Sequence, residues 1–372
     1  MPRSFRWLLI LFVATIVGWT LLLPVVPLAL SLAGESDAIA GASTAIFMAT
    51  TVLAQLLTPK ALRRWGYRLV LAVGLALLGV PALAFLAFTD AVPVLAISAV
   101  RGVGFGLLTV AANAMVAEIA PPQLLGRAGA AVGITSAATQ TVCLPAGLAL
   151  AEFSSTTPVF LIGALIPTAG IACVLLLPPV TREPSDIAQT KARLPWSVLL
   201  APVLAMAVMS AAFGGFSSLV PIATLGIANA ATLALVVASA ALVAGRFVGG
   251  RSVDRLGPSR LLLPSLLVAA AGLGGIALGF HGGVSLPLVV VGAAALGLGF
   301  GLCQADSLVT VFTAAGPHRR GAASAAWNVA YDGGTGAGAL SLGVVATVSG
   351  YSIVFAVATA VVLVAVPFTL RL

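Results

Sequence analysis

Runs of about twenty apolar residues follow one another along this chain with almost no polar sequence between them. About 20 helical residues are needed to cross a bilayer core of roughly 30 Å. Each run, near 7–30, 41–59, 68–89, 92–117, 127–151, 157–178, 197–222, 227–249, 260–280, 286–313, 321–345 and 350–370, is long enough to do so. Nothing alternates apolar and polar residues as a transmembrane β-strand would. Only 8% of residues are charged and the mean hydropathy is +1.17, whereas a soluble domain needs roughly a quarter charged to cover its surface. The runs predict an all-α polytopic membrane protein with twelve transmembrane helices.

Arg3 and Arg6 precede the first run and small residues lie at its end, the outline of a signal peptide. The run is longer than a signal core of about 7–15 residues, so it reads as a span. Cys143, Cys173 and Cys303 all fall inside runs. They lack CxxC or Cys/His spacing and predict neither a disulfide framework nor a metal site.

The chain carries 18 Lys and Arg residues and a formal charge of +8. With twelve spans the basic residues collect on one side: Arg3 and Arg6, Lys60 to Arg68, Arg127, Arg182 to Arg193, Arg246 to Arg260, Arg319, Arg320 and Arg371. The alternate loops hold Glu35, Asp37, Asp90 and Glu152 without Lys or Arg. The positive-inside rule then places both termini in the cytoplasm. The basic excess reports topology and implies no nucleic-acid surface. Arg101 alone stands clearly outside the pattern.

The longest polar linker, residues 181–196, divides the chain into six-span halves, 1–180 and 197–372. The halves repeat. Gly104-Phe105-Gly106-Leu107 returns as Gly299-Phe300-Gly301-Leu302, Pro122 and Gly126 return as Pro317 and Gly321, and Gly66 and Gly257 close equivalent basic loops. Two parallel repeats related by an axis along the membrane normal are one transporter architecture.

With its 6+6 division, its polar central loop and the stretch GRSVDRLGPSR at 250–260, the chain resembles the major facilitator superfamily over essentially its full length. The resemblance implies two pseudo-symmetric six-helix bundles. It makes Gly250, Asp254, Arg255 and Gly257 a gating loop, with Gly250 allowing close helix approach and Asp254 acting as a latch. The first-half copy, PKALRRWGYR at 59–68, has Arg63 in the place of the acid. The overall pattern is similar to the bacterial sugar and drug efflux branch. The fifth span keeps Pro145 of that branch's Gly-Pro motif but has Leu144 before it.

A charged side chain within a span is costly and marks a functional candidate. Arg101 opens Arg101-Gly102-Val103-Gly104-Phe105-Gly106, where the family has an Arg connected with proton coupling. Asp332 lies near the middle of the eleventh span, sharing a helix face with Asn328, as Tyr331 does with Trp327. An amide, a carboxyl and two aromatics suit a polar cavity wall. Asp306 lies beside Gln304 in the tenth span and has Ala111 as its repeat partner, so it breaks the internal symmetry. Asn113, Gln140 and Trp19 complete the expected substrate and proton pathway. Glu118 is expected to pair with arginines.

No Walker A, HExxH or GxSxG pattern occurs, and the Gly-x-Gly stretches lie inside spans, where they let helices pack. These features predict a secondary transporter without cofactor or metal, not an enzyme. It is expected to move a small molecule outward by alternating access, coupled to protons, as a monomer in the cytoplasmic membrane. Proton-coupled uptake is the alternative within transport. A non-transporting membrane sensor or partner subunit is the alternative of another class. The few intramembrane charges favour a neutral or amphipathic substrate.

Overall fold

The computed structural model describes residues 3–178, 194–316 and 319–370. Residues 181–193 of the expected central loop, with Arg182, Lys191 and Arg193, lie outside the described residues, as do Pro317, His318 and Arg371. Among the described residues there are helices and turns and no strand.

The α-helices are α1 (Arg3–Thr20), α2 (Val25–Leu32), α3 (Asp37–Gly79), α4 (Ala91–Ile119), α5 (Leu125–Phe153) and α6 (Thr156–Leu175). They continue with α7 (Trp196–Ala223), α8 (Ala230–Leu256), α9 (Leu262–Gly279), α10 (Leu286–Ala315), α11 (Arg320–Val348), α12 (Tyr351–Val364) and α13 (Val366–Thr369). Ten described segments are long and apolar enough to cross a membrane. One of them, Asp37–Leu86, runs 50 residues and covers the second and third expected spans. α11, at 29 residues, is as long as a span but richer in glycine and polar residues. The twelve expected spans are thereby accounted for.

Three boundaries differ from the hydropathy reading. The first run breaks at a turn over residues 21–24, where Pro24 has no N–H to continue the helix. The second and third runs form one helical segment interrupted only at Gly66, whose φ of 74° and ψ of 168° are non-helical. α8 extends to Leu256, seven residues beyond the expected edge, and stops at Gly257 with φ 87° and ψ 168°. Gly66 and Gly257 thus share a conformation open essentially to glycine alone.

The chain forms two compact units, Met1–Ala33 with Ile46–Ser185, and Gly34–Ala45 with Asp186–Leu372. The first turns of α3 therefore group with the second unit, although they precede the linker. Tyr351 Oη donates to Asp37 Oδ2 at 2.9 Å, and the Ala38 N–H donates to Thr347 Oγ1 at 3.0 Å. Gly41 lies so close to the Ala339 carbonyl that no Cβ fits there.

Within each unit, glycine stripes bring helix backbones together. In the first, Gly106 lies against the Thr51 carbonyl and Gly104 against that of Gly74. In the second, Gly301 lies against the Leu242 carbonyl and Gly299 against that of Ser265. Thr51 to Leu242 and Gly74 to Ser265 are the same step along the chain, as are Gly104 to Gly299 and Gly106 to Gly301. The repeat in sequence is a repeat in packing. α8 and α9 both pack on α10, and α7 packs on α11.

Candidate functional site

In the first unit Arg101 is 3% exposed, so it does not snorkel to an interface. Its Nε donates to the Leu78 carbonyl at 3.1 Å, and Nη2 donates to the Gly18 carbonyl. Leu78 needs this donor. The segment from Val80 to Leu86 is a 3₁₀ helix, in which residue 81 would donate to residue 78, but Pro81 has no N–H. The guanidinium also lies 5.6 Å and 5.5 Å from the ring centres of Phe47 and Phe85. Arg101 ties the end of α3 to the last turn of α1. Trp19 is buried beside Phe105, with ring centres 5.0 Å apart, and its Nε1 has no partner.

In the second unit the polar groups gather where α8, α10 and α11 offer them. Arg246 was counted among the loop cations, but because α8 continues to Leu256 it lies ten residues inside the helix. That is about 15 Å from its end at 1.5 Å per residue. Arg246 also lies three residues inside the expected edge at 249, and a charged side chain within a span needs a partner or water. Nε donates to Gln304 Oε1 at 2.5 Å, and the Tyr331 phenol lies within electrostatic reach. Among the described residues no carboxylate pairs with it. Arg101 is therefore not the lone intramembrane arginine. The expected span 227–249 already contained Arg246, although its charge was grouped with the loop cations.

Gln304 is 4% exposed. Because Oε1 must face the Arg246 donor, Nε2 is set as the free donor, and it has no partner among the described residues. Tyr331 stacks between Phe300 and Trp327, at 6.0 Å and 5.8 Å with interplanar angles of 12° and 20°. Trp327 Nε1 donates to Ser307 Oγ at 2.9 Å. The aromatic wall expected on α11 therefore packs against Phe300 and Ser307 of α10, and Phe300 lies one turn before Gln304. Asn328 is exposed and donates to the Ser324 carbonyl at 2.9 Å. Asp332 is 5% exposed.

Asp306, expected in the same pathway, has different partners. Its Oδ1 accepts from the Ser259 N–H at 2.7 Å and from Thr310 Oγ1 at 3.1 Å, and its Oδ2 accepts from the Leu261 N–H at 2.7 Å. These are the free donors at the start of α9, where a carboxylate also favours the helix dipole. Ser259 sits at φ 70°, a strained conformation for a non-glycine residue, and these bonds hold it. Asp306 organises the turn between α8 and α9.

That turn is shorter than expected. Gly250, Asp254 and Arg255 lie on the last two turns of α8, and only Gly257 belongs to the connection. A Cβ at Gly250 would meet nothing within 4 Å, so the expected close approach there is absent. Gly249, one residue earlier, makes it instead, against Leu302 and Ala305 of α10. Asp254 and Arg255 are exposed, and Asp254 has no hydrogen-bond or ion-pair partner among the described residues.

The remaining expected residues are scattered. Asn113 is exposed and donates to the Thr109 carbonyl at 2.7 Å. Gln140 is half-buried on α5. Glu118, expected to pair with arginines, makes no ion pair among the described residues. A crevice of about 420 Å³ in the first unit, lined by Val26, Phe85, Thr89 and Phe160 among others, contains no ionisable side chain. No group of His, Cys, Asp and Glu that could hold a metal occurs among the described residues.

The family model described as Major Facilitator Superfamily matches residues 8–339 and 230–372. No curated protein sequence matches the chain. Among solved structures, a variant of the nucleoside transporter NupG aligns at 12% identity with a TM-score of 0.76, covering 99% of each chain. A bacterial homologue of the human lysosomal transporter Spinster, described as inward-facing and occupied, aligns at 14% identity with a TM-score of 0.80. It covers 100% of this chain and 97% of its own. The human organic anion transporter MFSD10 aligns at 15% identity with a TM-score of 0.70, covering 99% of this chain and 100% of its own. At these identities the likeness is one of fold.

Proposed function

The chain belongs to the major facilitator superfamily, and we propose that it works as a secondary active transporter moving a small molecule by alternating access. The observation that carries the reading is the full-length family match on a duplicated, densely packed helical scaffold. The solved structures of similar fold include a nucleoside transporter and an organic anion transporter, which supports transport without selecting a substrate. The protein acts as a monomer in the cytoplasmic membrane with both termini inside, the orientation favoured by its basic residues.

Efflux driven by the proton gradient is the direction and coupling we favour. Pro145 in α5 and the resemblance to the efflux branch support the direction. Asp332 supports the coupling, being an acid 5% exposed within a span, where the charged form is costly and the neutral form can be carried. Asp306 supports exchange between states by ordering the α8–α9 turn, and Asp254 is the latch candidate at the end of α8.

Transport into and out of proteoliposomes under an imposed pH gradient, over a compound panel, tests this reading. Wild type should move at least one compound against its gradient when the interior is made acidic or basic. Asp332→Asn should remove the dependence on the gradient, while Asp306→Asn should slow flux and keep that dependence. Flux that ignores the gradient in wild type would refute proton coupling, and net movement in the opposite sense would make the protein an uptake permease.

A further inference from the structure

The repeat gives Arg246 and Gln304 an internal reference. The chain step that takes Thr51 to Leu242 takes Gln55 to Arg246, and the step that takes Gly106 to Gly301 takes Thr109 to Gln304. In the first unit Gln55 Nε2 donates to Thr109 Oγ1 at 3.2 Å. In the second, Arg246 Nε donates to Gln304 Oε1 at 2.5 Å. The same two helix positions are bridged in both halves, and a neutral pair is enough to bridge them. Packing therefore does not explain why the second half has a cation there.

Three further observations describe the surroundings. No carboxylate pairs with Arg246 among the described residues, and the first acid after Gln304 on α10, Asp306, is committed to Ser259, Leu261 and Thr310. The Gln304 Nε2 is a buried donor without an acceptor, held beside the guanidinium because Oε1 is taken by Arg246. Arg246 itself is only half-buried, so its remaining donors can be reached. A half-buried cation and a buried N–H, neither with an anionic or accepting partner among the described residues, together favour an acceptor carrying negative charge. Phe300, one turn before Gln304 on α10, begins an aromatic stack that runs through Tyr331 and ends at the half-buried Trp327.

We propose that Arg246, Gln304 and Tyr331 form a subsite for the oxyanion group of a small aromatic organic acid. The guanidinium pairs with the oxyanion, Gln304 Nε2 donates a second hydrogen bond, and the half-buried Trp327, which ends the Phe300–Tyr331–Trp327 stack, offers its outer face to the ring. The assignment names a substrate class for the transporter proposed above and rests on that reading. Its test uses binding alone, so absence of flux and absence of anion binding are separate results.

Purified full-length protein in detergent is titrated with benzoate, benzenesulfonate and phenyl phosphate, with benzamide and benzylammonium as uncharged and cationic comparators. Tryptophan fluorescence and equilibrium dialysis report binding. At least one aromatic anion should bind saturably, with benzamide at least about tenfold weaker, as expected when a charge-assisted hydrogen bond is lost. The variant R246Q/Q304T installs the first half's residue pair and should lose anion binding by a similar factor. R246K should retain an intermediate affinity, because it keeps the charge but not the planar fork. Arg251→Gln, at an exposed cation stacked on Phe247, should bind as wild type does.

Equal affinity for benzamide overturns the assignment, as does unchanged anion affinity in R246Q/Q304T. If no soluble anion binds while phosphatidylglycerol shows Arg246-dependent binding, the cation serves a lipid headgroup and the substrate assignment is wrong. Should R246Q/Q304T fail to fold, the comparison of anion with benzamide and the R246K affinity still decide.

Discussion

Arg246 in α8 donates through Nε to Gln304 Oε1 in α10 at 2.5 Å, at the helix positions where Gln55 and Thr109 meet in the first half. The two halves share a backbone plan and differ in the chemistry placed on it. The second half carries the intramembrane acid residues and an arginine without a counter-ion. The first carries Arg101, which is bonded to backbone carbonyls. The halves are structurally similar repeats with unequal roles.

Arg101→Met should lower the melting temperature of the purified protein. It leaves the Leu78 and Gly18 carbonyls without their guanidinium donor in a dry interior, at about 1–3 kcal/mol for each unsatisfied group. Thermal unfolding followed by fluorescence checks this. A melting temperature equal to wild type would mean that water or another donor replaces the side chain.

Gly301→Ala and Gly250→Ala should behave oppositely although both lie within α-helices. A Cβ at Gly301 collides with the Leu242 carbonyl, and forcing helix backbones apart in a packed interior costs about 1–3 kcal/mol. A Cβ at Gly250 meets nothing within 4 Å, and Gly→Ala in an open helix position is worth up to about 1 kcal/mol in favour of folding. Melting temperatures of the two variants, measured side by side, should fall on either side of wild type.

Asp306→Asn should loosen the α8–α9 turn without unfolding α10. One of the two carboxylate oxygens that accept from Ser259 and Leu261 becomes an NH₂ donor, and the charge is lost from the remaining bond. Loss of a hydrogen bond to a charged group, worth about 1.5–3 kcal/mol, should speed amide exchange at these residues by about tenfold or more. Hydrogen-exchange mass spectrometry over residues 257–262 reads this, and unchanged protection would show that Thr310 Oγ1, which also accepts from the Ser259 N–H at 2.8 Å, holds it without the carboxylate.

Tyr351→Phe should weaken the attachment of the start of α3 within the second unit. It removes the donor to Asp37 Oδ2 while leaving the neighbouring bond from the Ala38 N–H to Thr347 Oγ1. The expected loss is about 1–3 kcal/mol because the acceptor is charged. It should appear as faster exchange over residues 37–41, and in Tyr351→Phe with Thr347→Val the two effects should exceed either alone.

What could be read along the chain was whatever depends on neighbours in sequence. Hydropathy accumulates over twenty consecutive residues, so the twelve spans and the all-α class were legible, and so was the duplication, because Gly104-Phe105-Gly106 and its copy can be laid side by side. The aromatic and amide face of α11 was legible for the same reason, being set by helical spacing alone. Who meets whom across helices was not. Successive residues on a helix point about 100° apart, so Gly249 touches α10 while Gly250 faces open space. One residue separates Gln304 from Asp306, and the two face Arg246 and the α9 start respectively. Arg246 was grouped with the loop cations at the edge of the expected span, and the helix running on to Leu256 sets it ten residues from the end. Helix rotation and length decide these pairings, and both are set by packing between segments far apart in the chain, which a linear pattern of apolar and polar residues does not record.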